Sequence, residues 1–245
     1  MTTEKATQLL DPADKQNVPK AVTLIQLLHA LRDLPMPLNP GKAKTRKAII
    51  FFSEVLGYFV FPFLKVEMSL SEQVRSLSPY IHLITAMYLK HGTDFLTNPL
   101  FVDSQLVVKN IIVTIARMQT LDPNLKFYII QEGTDLLEGV FCDTRTMDHA
   151  RNFDIEQLSQ KLGLSALVNA TFQRNPDLDR GHRRLKLSGA LGIDHVNPKS
   201  WIGNVHVGDV SLKQEYDRGC KAANSVLENI LASCESGLLS YILAS

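Results

Sequence analysis

The stretch that decides the fold is SLSEQVRSLSPYIHLITAMYLKHG, residues 69–92. Ser69 and Glu72 have the spacing of a capping box, in which each side chain binds the other residue's backbone N–H at the start of a helix. The last three residues, Lys-His-Gly, supply the cations and the glycine that are typical of a helix end. The spacing therefore predicts a helix over about 70–90, with Pro79 as a point where it can kink.

Further helices are predicted where apolar residues recur every three or four positions. They cover about 19–34, 98–121, 155–173 and 212–231. Asp154 and Gln157 form a second capping box, and Asn98 with Pro99 supplies a cap and a first-turn proline. The expected fold is therefore mainly α, a helical bundle-like region with an irregular C-terminal segment over about 175–210.

The composition is that of an ordinary globular protein, with 45% hydrophobic and 21% charged residues. Lys and Arg number 26 and Asp and Glu 25, which excludes a strongly cationic protein that coats a polyanion. Any nucleic-acid contact must therefore come from a local patch. The three cysteines are scattered and odd in number, which excludes a disulfide scaffold and a zinc ribbon and favours a reducing compartment.

The most apolar stretch is AIIFFSEVLGYFVFPFL, residues 48–64. It is short for a membrane span, and it contains Glu54 near its middle and Pro62 near its end. We therefore expect a buried core helix and no membrane segment.

One short strand is predicted just before the most informative motif. KFYII, residues 126–130, is rich in aromatic and β-branched residues, and Gly133 interrupts the pattern. If the next helix begins at Thr134 or Asp135, then Asp135 and Glu138 lie on one face near its N-terminus, where the helix dipole stabilises carboxylates. Two interpretations stay open: a helix cap with a solvated first-turn acid, or carboxylates that contribute to a divalent-metal site.

The residues TDLLEGVF, 134–141, together with Arg145, resemble the helix that carries the last catalytic acid of P-element-type (THAP-associated) transposases. The chain as a whole is similar to multicopy, transposon-derived fungal proteins. The resemblance implies a remnant of a ribonuclease-H-like fold, with a helical insertion over roughly 11–125. It also implies that Glu138 is the final acid of an Asp-Asp-Glu set that binds Mg²⁺ or Mn²⁺ for DNA cleavage and strand transfer, with Asp135 as its helix-start partner.

The same resemblance limits the activity of this chain. The strands that carry the first two aspartates would precede residue 1, and Glu138 alone cannot hold two metal ions. We therefore expect a chain that is catalytically incomplete by itself. Transposases of this type bind a guanine nucleotide through the helical insertion, although no individual residue here matches that role. The nucleus is the expected location, with DNA, the remainder of a larger protein or an oligomer as partners.

A basic segment lies between residues 174 and 186, upstream of Trp201, which offers a stacking face. Arginine binds phosphate in bidentate geometry, so nucleic-acid binding is one interpretation, and a solvated, partly salt-bridged loop is the other. The candidate nucleic-acid contacts are Arg145, Arg180, Arg183, Arg184 and Lys186.

A second basic run, KAKTRK, occupies residues 42–47 and contains no acid. It is typical of phosphate contacts, of a weak nuclear-import signal, or of an exposed loop that leads into a helix. The sequence alone leaves these three interpretations open.

The residues IDHVNP, 193–198, superficially resemble the Asp-His-Ile-x-Pro step of His-Asn-His nucleases, in which a histidine activates water at a single metal ion. The supporting residues are few, since only Cys220 and Asn224 follow downstream. Asp194 as a turn residue and His195 as a hydrogen-bonding loop residue form the alternative. The histidines and cysteines have no zinc-site spacing, and no phosphate-binding-loop, dinucleotide or hydrolase motif is present.

These observations divide the chain into four parts. We expect a helical insertion-like region over 1–125 and a strand with helices that hold the last catalytic acid over 126–174. An irregular basic and histidine-containing loop is expected over 175–210, and a C-terminal helix over 211–245. The abrupt start and the apolar end without a cap lead us to expect a portion of a larger protein. The predicted function is a transposase-derived protein; the alternatives are a non-catalytic helical module that binds protein or nucleic acid and, less favoured, a nuclease that uses His195.

Overall fold

The computed structural model describes residues 3–11, 18–133, 141, 144–145, 152–175 and 198–234. These residues are mainly helical, as predicted. The helices are α1 (Thr3–Leu10), α2 (Val18–Ala30), α3 (Pro40–Val60), α4 (Leu70–His91), α5 (Asn98–Leu121), α6 (Ile155–Arg174) and α7 (Leu212–Cys234). The chain divides into two compact units, one formed by residues up to 129 and from 201 onward, the other by residues 130–200.

Helix α4 is the central helix of the first unit, and its predicted start and end are confirmed. Both hydrogen bonds of the Ser69–Glu72 capping box are present, and the helix ends at Gly92, whose φ of 57° suits glycine. Pro79 lies inside the helix and is buried. The helix packs against α3, α5 and α7, and its core side chains include Leu70, Val74, Leu77, Ile81, Leu83 and Ile84.

Small residues let α7 cross α4 at close range. A Cβ atom added at Gly219 would lie 2.4 Å from the Cβ of Ser78, so only glycine fits there. The Ser78 hydroxyl donates to the backbone oxygen of Tyr216 at 2.7 Å, and Ala223 is fully buried one turn further along α7. The predicted C-terminal helix is therefore a core element of the first unit.

The described end of the predicted irregular segment is compact. Residues 201–210 form a strap whose backbone binds two loops: the N–H of Gly203 donates to Val66 O at 3.0 Å, and the N–H of Gly208 donates to Pro123 O at 2.9 Å. Trp201, Val205, Val207 and Val210 are buried. The expectation that Trp201 offers an exposed stacking face is therefore wrong, because its side chain is part of the packed interior. The remainder of the segment, 176–197, lies outside the described residues.

The short strand predicted over 126–130 is not confirmed. Lys126 makes a single antiparallel bridge with His206. Both segments then turn into 3-10 helices, at Ile129–Gln131 and Val207–Asp209, so the pairing cannot extend. The described residues contain no strand beyond this bridge, and a ribonuclease-H-like arrangement is not confirmed among them.

Two apolar helices bear on the membrane question. Helix α3 begins at Pro40, eight residues before the apolar stretch, because Asn39 caps it and Pro40 suits the first turn. Among the described residues, α5 alone is long and apolar enough to cross a membrane by length and composition. Its Val108, Ile111 and Ile115 are fully buried in the protein core. A lone helix of this kind implies no membrane.

Candidate functional site

The strongest local charge in the described chain belongs to α2, α3 and the turn between them. Residues 18–53 contain six Lys and Arg side chains and a single acid, Asp33, whereas the whole chain is close to neutral. Helices α2 and α3 pack against each other, so this excess is held on one folded element. We call residues 18–53 the basic hairpin.

The start of α3 concentrates that charge. The Asn39 side chain accepts a hydrogen bond from the backbone N–H of Lys42 at 3.1 Å, which fixes the first turn. Lys42, Lys44 and Lys47 are exposed on the first two turns. The N-terminal end of a helix carries a partial positive charge from its unbonded N–H groups, and this adds to the field of the lysines.

Arg46 differs from the three lysines because its side chain serves the fold. Its guanidinium donates to the backbone oxygens of Leu31 at 2.5 Å, Pro35 at 2.8 Å and Leu34 at 3.1 Å. These carbonyls belong to the turn that follows α2, so Arg46 ties the start of α3 to the end of α2. The basic run predicted from sequence therefore divides into one structural arginine and three exposed lysines.

The basic hairpin contains one acid, Asp33, and the next acid along the chain is Glu54. The Oδ1 atom of Asp33 lies 3.7 Å from the Nε atom of Arg32. Glu54, the first acid of α3, is about 10 Å further along the helix axis than Lys47 at 1.5 Å per residue, and it accepts a hydrogen bond from the Tyr58 hydroxyl at 3.3 Å. Burial, with a smaller contribution from Glu54, raises the pKa of Tyr58 to about 12, so that hydroxyl stays protonated.

A second charged cluster joins α4 to α7. The Glu215 carboxylate is buried, and it accepts hydrogen bonds from Arg75 Nε at 2.5 Å and from Arg218 Nη1 at 2.9 Å. The hydrogen bond from Arg75 is the main cause of the lowered pKa of Glu215. Both oxygens of the carboxylate are used within the protein, so the cluster is an ion-pair tie between helices. No local spacing in the sequence indicates this cluster, because it depends on how α4 and α7 pack.

A half-buried histidine lies between the same two helices. His82 packs edge-on against Tyr216, with 5.3 Å between ring centroids, and its Nε2 atom is buried with no hydrogen-bond partner. Burial lowers the pKa of His82, so the neutral imidazole is favoured. This histidine therefore contributes a ring contact between α4 and α7.

Most residues predicted for catalysis or phosphate binding lie outside the described part of the chain, namely Asp135, Glu138, Arg180, Arg183, Arg184, Lys186 and His195. Phe141 and Arg145 are described and are both exposed. Glu138, the implied ligand of Mg²⁺ or Mn²⁺, lies outside the described residues. Those that are described contain no group of three or more His, Cys, Asp or Glu that could hold a metal ion.

Comparisons with protein-family models, curated proteins and solved structures found no match to this chain.

Proposed function

We propose that this chain is a transposase-derived helical module that binds nucleic acid through the basic hairpin and is catalytically incomplete on its own. The observation that carries the binding proposal is the start of α3, where three exposed lysines lie on the first two turns of the helix and no acid lies between 34 and 53. Cations in this arrangement displace condensed counterions from a phosphate backbone, which drives binding without base recognition. The transposase origin rests on the sequence resemblance.

The rigidity of the basic hairpin also supports binding. Because Arg46 fixes the turn after α2 to the first turns of α3, the three lysines are presented on a preformed surface. A preformed surface loses less conformational entropy on binding than a loop that must become ordered. The expected ligand is the phosphate backbone of double-stranded DNA, read without sequence specificity.

Binding is tested by fluorescence anisotropy with a labelled DNA duplex over a series of salt concentrations. The triple variant Lys42→Gln, Lys44→Gln, Lys47→Gln is expected to bind at least about tenfold more weakly. The salt dependence should also become shallower, with the magnitude of the slope of log affinity against log salt falling by about 2–3. The matched control is Lys109→Gln, Lys126→Gln, Lys213→Gln, which removes the same charge from exposed positions elsewhere. Equal losses in the two triple variants, or no binding at low salt, would contradict the proposal.

The catalytic part of the proposal has a separate test. The purified chain is incubated with DNA and Mg²⁺ or Mn²⁺, and cleaved or joined products are separated by electrophoresis. We expect none, because one acid of the implied set cannot hold two metal ions. If the chain cleaved DNA and Glu138→Ala cleaved it equally well, the role of Glu138 as a catalytic acid would be excluded.

By the same resemblance we propose that a guanine nucleotide binds within 11–125 and that the protein is located in the nucleus. Neither proposal has an assigned residue.

A further inference from the structure

Helix α6 exposes apolar side chains and buries polar ones. Ile155, Leu164 and Leu167 are 82%, 54% and 67% exposed, whereas Lys161 and Ser165 are only 7% and 1% exposed. The Lys161 ammonium lies 4.5 Å from the centre of the Phe153 ring, where a cation is attracted by the ring face. The inward side of α6 is therefore partly polar, and its outward side carries the large aliphatic groups.

One line of residues on α6 follows the spacing of a helix–helix seam. The residues recur at steps of four and three, which keeps them on one face of a helix. All are exposed except Ala170, which is half-buried. We call this set the α6 stripe: Glu156, Gln160, Gly163, Leu167, Ala170 and Arg174.

We propose that the α6 stripe pairs with the α6 stripe of a second copy of this chain, with the two helices antiparallel. Each residue of the α6 stripe has a counterpart in the stripe at the same number of positions on the other side of 165. A two-fold axis at that level therefore places every stripe residue opposite its counterpart in the second copy. Leu167 then faces Gly163 of the second copy. A Cβ atom added at Gly163 would meet nothing within 4 Å, so the surface is open at the point where the leucine side chain packs.

Charge fixes the direction of this pairing. Glu156 is in the first turn of α6 and Arg174 is its last residue. An antiparallel pair brings Glu156 of each chain opposite Arg174 of the other, which gives two attractive contacts. A parallel pair would bring Glu156 opposite Glu156 and Arg174 opposite Arg174, which is repulsive at both ends. The same surface is thus self-complementary in one direction only, as a two-fold interface requires.

The expected affinity is modest. Helix α6 has 20 residues and is about 30 Å long. A contact along one such helix buries less than a standard interface, so the dissociation constant is expected to be on the order of 10–100 µM. The association does not require nucleic acid, so it is measured without it and stands or falls apart from the proposed function.

Sedimentation equilibrium over concentrations that bracket this range tests the dimer. Leu167→Ala is expected to weaken self-association by at least about tenfold, because each interface loses both of its central leucines. The matched control is Ile155→Ala, which removes a larger exposed apolar surface from another face of the same helix and should leave the association unchanged. A chain that stays monomeric throughout, or equal effects of the two variants, overturns the proposal.

Exchanging the charges at the two ends of the helix tests the antiparallel direction. The test compares two single variants and their mixture, so it does not depend on the folding of one variant alone. Glu156→Arg and Arg174→Glu should each abolish self-association, because each alone places like charges opposite one another at both ends. An equimolar mixture of the two single variants should associate at least as well as the unmodified chain, since both ends then carry opposite charges. A mixture that stays monomeric overturns the proposal, as does unchanged self-association of either single variant.

Discussion

Helices α4 and α6 begin with the same capping motif but lie in different surroundings. Each starts with a complete capping box, and their lengths of 22 and 20 residues are nearly equal. Helix α4 buries a continuous aliphatic face in the core of the first unit, while α6 presents aliphatic side chains outward. The difference shows that capping decides where a helix begins, whereas the partners that reach it decide which face is buried.

The largest expected effect comes from substituting one glycine in each environment. At the crossing of α4 and α7, the Cβ atom of a Gly219→Ala variant would lie 2.4 Å from the Ser78 Cβ and 2.8 Å from the Arg75 backbone oxygen. The helices must separate to accept it, so we expect the free energy of unfolding to fall by roughly 1–3 kcal/mol. Urea unfolding followed by circular dichroism measures the change.

Gly163→Ala in α6 is the matched control for that substitution. The chemical change is the same, but the Cβ atom enters open space. Alanine has the higher helix propensity, so α6 should gain about 0.5–1 kcal/mol of local stability, seen as slower amide hydrogen exchange. If Gly219→Ala were as well tolerated as Gly163→Ala, the close approach of α4 and α7 would be contradicted.

The next test addresses the ion pairs that hold α7 on α4. Glu215→Gln removes the buried carboxylate that Arg75 and Arg218 share, and we expect a loss of about 1–2 kcal/mol at neutral pH. The value is below that of a fully buried pair because both arginines are about half exposed and can regain water. Glu228→Gln, which changes an exposed acid on the same helix, is the control and should change the free energy of unfolding by much less.

The pH dependence of that variant has a definite sign. The folded protein lowers the pKa of Glu215 below its ordinary value of 4.5. A lowered carboxylate pKa contributes stability that is fully present above the unfolded value and is lost as the pH falls through the folded value. The difference between the unmodified chain and Glu215→Gln should therefore be constant near neutral pH and shrink below pH 4.5. A difference that grew on acidification would contradict the ion-pair assignment.

The parts that local sequence could predict are those that local physics controls. The two capping boxes, the glycine after α4 and the first-turn prolines fix helix ends through neighbouring backbone atoms, and the predicted bounds of α4 and α6 agree closely with the structure. Tertiary features escaped prediction. Trp201 is buried because the strap packs between two distant loops, and the strand expected over 126–130 depends on a partner that turns away after one bridge.

The candidate site shows the same division at the level of single residues. The basic run at 42–47 was visible in the sequence, but its separation into three exposed lysines and one structural arginine was not. The carbonyl groups that bind Arg46 belong to residues 11 to 15 positions away, at the end of another helix. Glu215 likewise meets Arg75 across 140 positions. Such pairs follow from packing, which no local spacing encodes.

The smallest predicted effect separates the two capping boxes themselves. Ser69→Ala and Asp154→Ala each remove one capping acceptor, at a local cost of about 1 kcal/mol. Because α4 is held by three neighbouring helices, the loss at Ser69 should lower the free energy of unfolding of the whole first unit, and urea titration should detect it. The loss at Asp154 should be confined to α6, where amide exchange over residues 156–158 should accelerate by roughly fivefold.

Ser69→Thr and Asp154→Ser keep an accepting oxygen at each cap and serve as controls, with effects expected to be much smaller than those of the alanine variants. The two alanine variants together distinguish a helix stabilised by its neighbours from one that depends on its own ends. If Asp154→Ala lowered the stability of the first unit as much as Ser69→Ala does, α6 would be coupled to the main core. Its outward aliphatic side chains could then no longer be treated as a surface that acts independently of that core.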